Sequence, residues 1–471
     1  MEEKKDDLIH EVAEVPIEAV KTTVEVEKEG AKLIEKEALK TAEFVEKQPP
    51  IKQARHFWHG LGPGLTTGAA DDDPSGVATY SQQGAKYGFQ LLWLAPLTFP
   101  LMAVVQEMCA RIGLATGRGL ASNIKKYFPK YVLYISAVLL LIANSFNIGA
   151  DLGGMAKATQ LLAPGLPFWL LVIGFVVISL VLQIFISYPK YAKYLKYMAL
   201  TLCVYILATF TIKGFPWGEV LKHVVTPSLD FSKEQFILIT GILGTTISPY
   251  LFFWETSQEV EEKISEGKTT VAERQEITSK DVRKMRVDVW TGMFFSNLIM
   301  FFIVALCGAT LFKSGIINIS SAADAAAALK PLAGNYASLL FTIGILGTGF
   351  LGIPILAGSA SYAVSESMGW REGLSYKFRQ AIYFYGVIIF SMVIGLVINF
   401  IGLDPIKALI YAAVLNGLVA AVILVLIVSL SNKKQVMGEK VNGFWTKLIG
   451  WLATGFMVIT GLITIYSIFW K

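Results

Sequence analysis

The chain has 471 residues, of which 54% are apolar and only 16% are charged. Soluble domains are nearer a quarter charged, so this composition excludes an ordinary soluble enzyme and is typical of an integral membrane protein. No GxxxxGK[ST] loop is present, which excludes a pump driven by nucleotide bound in that loop. Three cysteines stand far apart without a CxxC pair, so we expect neither disulfides nor zinc chemistry.

Residues 1–50 form a separate unit of sequence, with 8 lysines against 14 acidic residues. We predict an acidic cytosolic tail here, and apolar residues at helical spacing favour a short amphipathic helix over 31–47. Because the first fifty residues are polar, we expect no cleavable signal peptide. The transmembrane domain is predicted to occupy 51–471.

Apolar segments long enough to cross roughly 30 Å of hydrocarbon follow along the rest of the chain. We predict about eleven transmembrane helices, at 58–86, 89–113, 131–161, 167–188, 193–213, 234–257, 286–312, 335–363, 377–401, 405–430 and 445–470. Residues 58–257 would then hold a first repeat of five helices and the start of the second. The second repeat would occupy 234–430, and 445–470 would be an extra helix.

Basic residues lie mainly in alternate connections between these segments, notably 111–130, 190–196, 259–286, 371–379 and 433–447. Cytosolic connections of membrane proteins carry such an excess of lysine and arginine. With an odd number of spans, we expect the N-terminus in the cytosol and the C-terminus outside the plasma membrane. The partners we expect are the lipid bilayer and a transported ion, with no nucleic acid and no need for an oligomer, so a monomer.

The first predicted helix is interrupted by the run DDDPSG at 71–76. A proline lacks the amide that would bond the carbonyl four residues before it, and its ring pushes that carbonyl away. Pro74 is therefore expected to free the carbonyl of Ala70 for another partner.

The sixth predicted helix contains a second interruption, in the run GILGTTISPY at 241–250. Here Pro249 frees the carbonyl of Thr245, and Ser248 is placed to cap the helix that restarts at Pro249. Irregular backbone at membrane depth survives only where it lines a cavity or is buried in protein. Two interrupted helices five spans apart indicate an inverted-repeat carrier with its substrate near the middle of the bilayer.

The acidic run indicates the sign of the substrate. One charged carboxylate at the centre of a span costs roughly 2.5–3.5 kcal/mol on insertion scales. Asp71, Asp72 and Asp73 must therefore face water, a cation, or one another with some protons retained. Freed carbonyls beside a carboxylate are hard oxygen donors suited to Mg²⁺, Ca²⁺ or Mn²⁺, and a helix C-terminus adds partial negative charge. The sequence predicts a cation carrier.

From about residue 55 onward, the sequence resembles the NRAMP family of divalent metal transporters. The family's first-span pattern Asp-Pro-Gly-Asn is similar to residues 73–76, and its sixth-span Met-Pro-His aligns with residues 248–250. The second span and the loop after it also resemble the family, at Gln106, Arg111, Gly113, Thr116, Gly117, Leu120 and Ala121. The resemblance implies an all-α membrane protein with a LeuT-like 5+5 inverted repeat, discontinuous first and sixth helices and no cofactor.

By this resemblance, the metal ligands map onto the carbonyls of Ala70 and Thr245, the carboxylate of Asp73, and the positions of Gly76 and Ser248. Asp72, beside this set, is a further candidate ligand.

Two departures from the family pattern bear on the choice of metal. Ser248 stands where the family has a soft methionine thioether, and Gly76 stands where it has an asparagine. Fewer and smaller ligands leave a roomier site, and Asp71 and Asp72 make it more negative. Such a site suits an ion that keeps several waters, as Mg²⁺ does because it dehydrates reluctantly. The sequence resembles the NRAMP-related magnesium transporter branch, and Mn²⁺ should still pass.

Proton coupling is predicted to be weakened or lost. Asp151 matches the family's third-span aspartate, but the acid expected three residues later is Gly154, and a family glutamate near the fourth-to-fifth junction is Lys196. The family's sixth-span histidines are replaced by Tyr250 and Glu255. We therefore predict a uniporter driven by the membrane potential, which gives a divalent cation about 4.6 kcal/mol per 100 mV.

Four residues are further candidates for a vestibule or an ion pathway: Asp71, Tyr250, Glu255 and Asp151. Asp151 would either pair with a lysine or receive the ion in transit. Three other functions remain open, namely a proton-coupled Mn²⁺/Fe²⁺ symporter, an amine or amino-acid carrier on the same scaffold, and an intramembrane aspartyl protease. The acidic run disfavours a substrate carboxylate, and the GxGD motif of such a protease is absent from the sequence.

Overall fold

The computed structural model describes residues 62–186 and 200–469. The chain divides after Leu61 into two compact units, and the description below concerns the second. The predicted acidic tail with its helix, Lys196 and the start of the fifth predicted span lie outside the described residues.

The described residues form helices and no strand. The α-helices are α1 (Pro63–Asp71), α2 (Pro74–Tyr87), α3 (Leu94–Thr116), α4 (Leu120–Tyr127), α5 (Lys130–Gln160), α6 (Phe168–Phe185), α7 (Cys203–Thr211), α8 (Trp217–Val225), α9 (Lys233–Thr246), α10 (Pro249–Ser265), α11 (Val271–Gln275), α12 (Ser279–Cys307), α13 (Ala322–Ala327), α14 (Lys330–Ala333), α15 (Ala337–Met368), α16 (Ile382–Ile398), α17 (Pro405–Ser431), α18 (Lys434–Met437) and α19 (Phe444–Phe469). A π-helical turn, Gly308–Phe312, extends α12.

Eight helical stretches of the described chain are long and apolar enough to cross a membrane, counting α9 with α10 as one. Two shorter apolar helices, Leu200–Thr211 and Ile382–Ile398, fall at the fifth and ninth predicted spans. The broken pair α1 and α2 supplies the first. These segments together account for the eleven predicted spans, so the expectation of an all-α protein with many membrane helices is confirmed.

Both predicted interruptions are present. Helix α1 ends at Asp71, and α2 begins at Pro74 with Asp73 as its N-cap. Helix α9 ends at Thr246, and α10 begins at Pro249. In each case a proline occupies the first helical position, where its missing amide costs nothing and its fixed φ suits a helix start.

The packing of the helices repeats between the two halves. In the first half, α1 and α2 pack on α12, while the corresponding α10 of the second half packs on α3. Likewise α5 packs on α16, and its counterpart α15 packs on α6. Each contact is matched by one in which the equivalent helices exchange roles, which is the pattern that an inverted repeat produces.

Glycines allow the two broken spans to approach their neighbours closely. A Cβ on Gly68 of α1 would lie 2.3 Å from the carbonyl oxygen of Gly292 on α12. A Cβ on Gly244 of α9 would lie 2.1 Å from the carbonyl oxygen of Ala413 on α17. Helices in membranes pack tightly through such small residues because lipid provides no hydrophobic drive for their association. The backbones on both sides of the interruptions are therefore held against long, continuous helices.

Candidate metal site

The two interruptions meet inside the protein. The hydroxyl of Thr245 lies 3.5 Å from the carbonyl oxygen of Asp71. A Cβ on Gly76 would lie 2.8 Å from that same hydroxyl and 3.1 Å from the carbonyl oxygen of Asp71. Only a glycine at position 76 leaves room for this approach, so the residue that replaces the asparagine of the NRAMP pattern brings the two broken helices together.

Asp73 lies at the centre of this meeting point and is fully buried. One of its carboxylate oxygens accepts hydrogen bonds from the Ser75 hydroxyl at 2.6 Å and from the Gly76 amide at 2.8 Å. The other accepts from the Asn147 side chain at 2.9 Å and from the Tyr250 hydroxyl at 3.4 Å. These donors come from α2, α5 and α10, so the carboxylate faces the junction of three spans and not the lipid.

The two carbonyls freed by proline are bonded to hydroxyl groups of the protein in this conformation. The carbonyl oxygen of Ala70 accepts from the Tyr250 hydroxyl at 2.9 Å. The carbonyl oxygen of Thr245 accepts from the Ser248 hydroxyl at 2.8 Å, and the same hydroxyl lies 2.9 Å from the carbonyl oxygen of Gly244. Each carbonyl is thus outside the helical ladder, as predicted, and its partner is a side chain that can rotate.

The predicted capping role of Ser248 is wrong in one respect. Ser248 occupies the N-cap position of α10, but its side chain caps no amide of that helix. Its hydroxyl donates backward to the preceding turn instead, because the two exposed carbonyls at the end of α9 are nearer unsatisfied acceptors.

The three aspartates of the acidic run do not converge. Asp73 faces α5 and α10, whereas one carboxylate oxygen of Asp71 accepts from the Ser296 hydroxyl of α12 at 2.9 Å. Neither carboxylate oxygen of Asp72 has a hydrogen-bond partner within the described residues. No set of three or more His, Cys, Asp or Glu side chains forms a metal-holding group anywhere in that part of the chain. A metal at the meeting point would therefore rely on Asp73 together with backbone and hydroxyl oxygens.

Asp151 and Glu255 are both fully buried. A Cβ on Gly352 would lie 3.0 Å from the Cβ of Asp73 and 3.9 Å from a carboxylate oxygen of Asp151, so the two aspartates border the same point of α15. No lysine pairs with Asp151 within the described residues. Glu255 accepts from the Thr67 hydroxyl and so ties α10 to α1, while its other oxygen has no partner there.

Carboxylates also join α10 to α15 at the end of the molecule where α10 stops. Glu366 accepts from the Ser122 amide at 2.8 Å and from the Ser257 hydroxyl at 3.2 Å. Glu261 accepts from the Tyr362 hydroxyl at 3.0 Å. Burial and the nearby Glu261 raise the pKa of Glu372, in the loop after α15, to about 7. Any path from the meeting point to this end must break these contacts.

Comparison with known proteins identifies the family. The model of the family described as natural resistance-associated macrophage protein-like (NRAMP) matches residues 64–467. The chain belongs to the NRAMP family. The divalent metal cation transporter MntH of Pectobacterium carotovorum is 25% identical over 401 residues, which cover 83% of this chain and 90% of that protein. MntH of Deinococcus radiodurans is 26% identical over 400 residues, covering 83% and 86%.

Solved structures show the same fold. The manganese transporter of Eremococcus coleocola superposes with a TM-score of 0.67 at 21% identity, over 87% of both chains. Mhp1, a nucleobase-cation-symport-1 family transporter, superposes with a TM-score of 0.53 at 14% identity, over 87% of this chain and 91% of that one. The predictions of the family, of the inverted-repeat helical fold and of a transport protein rather than an enzyme are thereby confirmed.

Several residues at the site of this NRAMP-family chain escaped the sequence analysis. Asn147 contacts Asp73, and Ser296 contacts Asp71. Asp288 of α12 accepts from the amides of Gly62 and Gly64, both at 2.8 Å, and so holds the start of α1. A signal did exist, because each is a polar residue within an otherwise apolar span. What the sequence lacks is the packing that brings α5 and α12 against the first interruption.

Proposed function

We propose that this NRAMP-family chain imports divalent metal cations, chiefly Mg²⁺ and also Mn²⁺, as largely hydrated ions. The membrane potential drives the ion, and no proton moves with it. The proposal rests on one observation above all. Asp73 and the freed carbonyls of Ala70 and Thr245 lie where the two broken helices meet, and their hydrogen-bond partners are hydroxyl and amide groups. The names of the relatives, divalent metal cation transporter and manganese transporter, agree with a divalent substrate.

The chemistry of these donors favours a hard ion. Carboxylate, carbonyl and hydroxyl oxygens suit Mg²⁺ and Mn²⁺, whereas a thioether would favour softer metals. With one carboxylate and two carbonyls from the protein, an octahedral ion would complete its shell with water, which Mg²⁺ retains readily. Ser248, Gly76 and Asp72 border the same space and would contact the ion or its waters.

Binding at this point requires two hydroxyls to move. In the present conformation Tyr250 donates to the carbonyl of Ala70, and Ser248 donates to the carbonyl of Thr245. An arriving cation repels the donated hydrogens and attracts the oxygens, so each hydroxyl is expected to rotate away from the carbonyl. Release to the cytosol then requires the contacts of Glu261 and Glu366 with α15 to separate.

Uniport is supported by the scarcity of imidazoles. Within the described residues the single histidine is His223, which bonds the carbonyl of Glu219 in the exposed helix α8. No histidine relay therefore runs through the described spans. The alternative is a proton-coupled Mn²⁺/Fe²⁺ symporter. The buried oxygens of Asp151 and Glu255 that lack a partner favour that alternative, and the same experiment tests both.

For the topology, we propose a multi-pass protein of the plasma membrane that works as a monomer. Residues 1–50 would form a cytosolic tail, residues 51–471 the transport domain, and the C-terminus would lie outside. A tag at either end, probed with an impermeant antibody in intact cells, tests this orientation. Labelling of a C-terminal tag and protection of an N-terminal tag are expected, and the reverse result contradicts the proposal.

The deciding experiment is uptake by the purified full-length chain in proteoliposomes that hold a Mg²⁺ indicator or a pH indicator. A K⁺ gradient with valinomycin sets the membrane potential. We expect Mg²⁺ entry that grows with an inside-negative potential, competes with Mn²⁺ and leaves the internal pH unchanged. Acidification that follows metal entry would contradict uniport and support the symporter. Absence of Mg²⁺ entry in vesicles that take up Mn²⁺ would contradict the proposed selectivity.

A further inference from the structure

Asp71 and Asp72 form a pair of buried carboxylates separate from the contacts of Asp73. Both side chains are 0% exposed. The Ser296 hydroxyl lies 2.9 Å from one oxygen of Asp71 and is also close to Asp72, but its single hydrogen can serve only one of them. The other oxygen of Asp71 and both oxygens of Asp72 have no hydrogen-bond partner in the described part of the chain.

A third group points to the same place. The hydroxyl of Tyr80, nearly two turns along α2, is fully buried and has no hydrogen-bond partner within the described residues. It is close enough to both Asp71 and Asp72 to interact with their charges. Three elements therefore surround the pair, namely the end of α1, helix α2 and helix α12.

No positive side chain balances this pair. Every ion pair found in the described residues involves other acids. Asp72 is also the C-cap of α1, where the exposed carbonyls at the helix end add partial negative charge. Buried carboxylates are normally paired, hydrogen-bonded or bound to a metal, because desolvating an isolated charge is costly. The surroundings therefore call for a cation with a charge near +2.

We propose that Asp71, Asp72, Ser296 and Tyr80 form a second binding site for a divalent cation, beside the site at Asp73. The four side chains offer carboxylate and hydroxyl oxygens, the hard donors that Mg²⁺ and Mn²⁺ prefer. One divalent ion neutralises both carboxylates. The inference deepens the proposed function, since the ion is of the transported class, and it explains the two acids that the site at Asp73 leaves unused.

The second site also affects how the first one works. The backbone carbonyl of Asp71 lies against the Thr245 hydroxyl, and Gly76 packs between them. An ion held by Asp71 and Asp72 thus sits on the backbone that shapes the Asp73 site. Mutual repulsion of two nearby divalent ions would weaken the binding of each, which favours release from a multi-ion pathway.

The test counts Mn²⁺ ions bound per chain in the purified full-length protein, by electron paramagnetic resonance of free Mn²⁺. Four proteins are compared: the unmodified chain, the double variant Asp71→Asn with Asp72→Asn, the variant Asp73→Asn, and Glu219→Gln as a control on an exposed helix. Each asparagine keeps the size of the aspartate and removes a buried charge. Elution profile and thermal unfolding verify that every variant is folded.

We expect two Mn²⁺ ions per unmodified chain, one in the double variant, one in Asp73→Asn, and two in the Glu219→Gln control. Mg²⁺ should displace both ions. One ion per unmodified chain, or two in the double variant, would overturn the second site. Replacing K⁺ by Na⁺ should leave the count at two, and loss of one Mn²⁺ would overturn the divalent assignment in favour of a Na⁺ site. Failure of the proposed function looks different, as absent Mg²⁺ uptake with both ions still bound.

Discussion

The two interrupted spans follow the same plan but carry different chemistry. In the first, the break between α1 and α2 contains three buried carboxylates, one of which caps the second half-helix. In the second, the break between α9 and α10 contains no charge. Its polar groups are the hydroxyls of Thr245, Ser248 and Tyr250, of which two donate to the freed carbonyls.

This difference indicates a division of roles. The first break supplies the negative charge that makes the site attractive to a cation, and the second supplies neutral oxygens that shape it. Charge sets how strongly an ion is held, whereas the type of neutral donor sets which divalent ion is preferred. Changes in the first break should therefore abolish or weaken transport, while changes in the second should alter selectivity.

The largest effect is expected from removing the central charge. Asp73→Asn keeps the size and the N-cap position but loses the only carboxylate at the meeting point that faces α5 and α10. Since even indirect partners of a metal change affinity by about 10–100-fold, we expect uptake to fall at least about 100-fold. Tracer uptake of Mn²⁺ in proteoliposomes measures this, and near-normal uptake would refute the assignment of Asp73 as a ligand.

A large effect on stability is expected from crowding either break. Gly68→Ala places a methyl group 2.3 Å from the Gly292 carbonyl oxygen, and Gly244→Ala places one 2.1 Å from that of Ala413. Overpacking of this kind costs about 1–3 kcal/mol, so both variants should unfold at lower temperature in detergent. Gly344→Ala is the matched control, since nothing lies within 4 Å of its Cβ. Equal melting temperatures for all three would contradict the close packing.

A change of selectivity is expected from the second break. Ser248→Met introduces a thioether beside the freed carbonyl of Thr245, and a soft donor favours Mn²⁺ and Cd²⁺ over Mg²⁺ on the order of tenfold. Ser248→Ala separates this effect from loss of the hydroxyl and should leave the ratio of Mn²⁺ to Mg²⁺ uptake nearly unchanged. If Ser248→Met also leaves that ratio unchanged, neutral donors of the second break do not set the selectivity.

The smallest effect is expected from the hydroxyl that links the two breaks. Tyr250→Phe removes the donor to the carbonyl of Ala70 and to Asp73. Because an incoming ion no longer has to displace this hydrogen bond, worth about 0.5–1.5 kcal/mol, the KM for Mn²⁺ should fall roughly 2- to 10-fold. A rise in KM would mean that Tyr250 positions Asp73 for the ion rather than competing with it.

Much of the fold follows from local sequence. Apolar length specifies the spans, and Pro74 and Pro249 specify where two of them break, because a proline disrupts its own helix whatever surrounds it. The carbonyls of Ala70 and Thr245 could be named for the same reason. The role of Ser248 could not, since its hydroxyl chose between an amide ahead and two carbonyls behind, and only the relative positions of α9 and α10 decide that choice.

The sequence by itself determined that this protein spans the membrane, that its first and sixth spans are broken, and that the first break is acidic. These properties depend on hydrophobicity, on proline and on charge, which each residue carries wherever it lies. The tertiary structure alone decided that Asp73 turns toward Asn147 and Tyr250 while Asp71 turns toward Ser296. Three successive side chains leave an unwound backbone in different directions, so their partners are fixed by the helices that pack around the break.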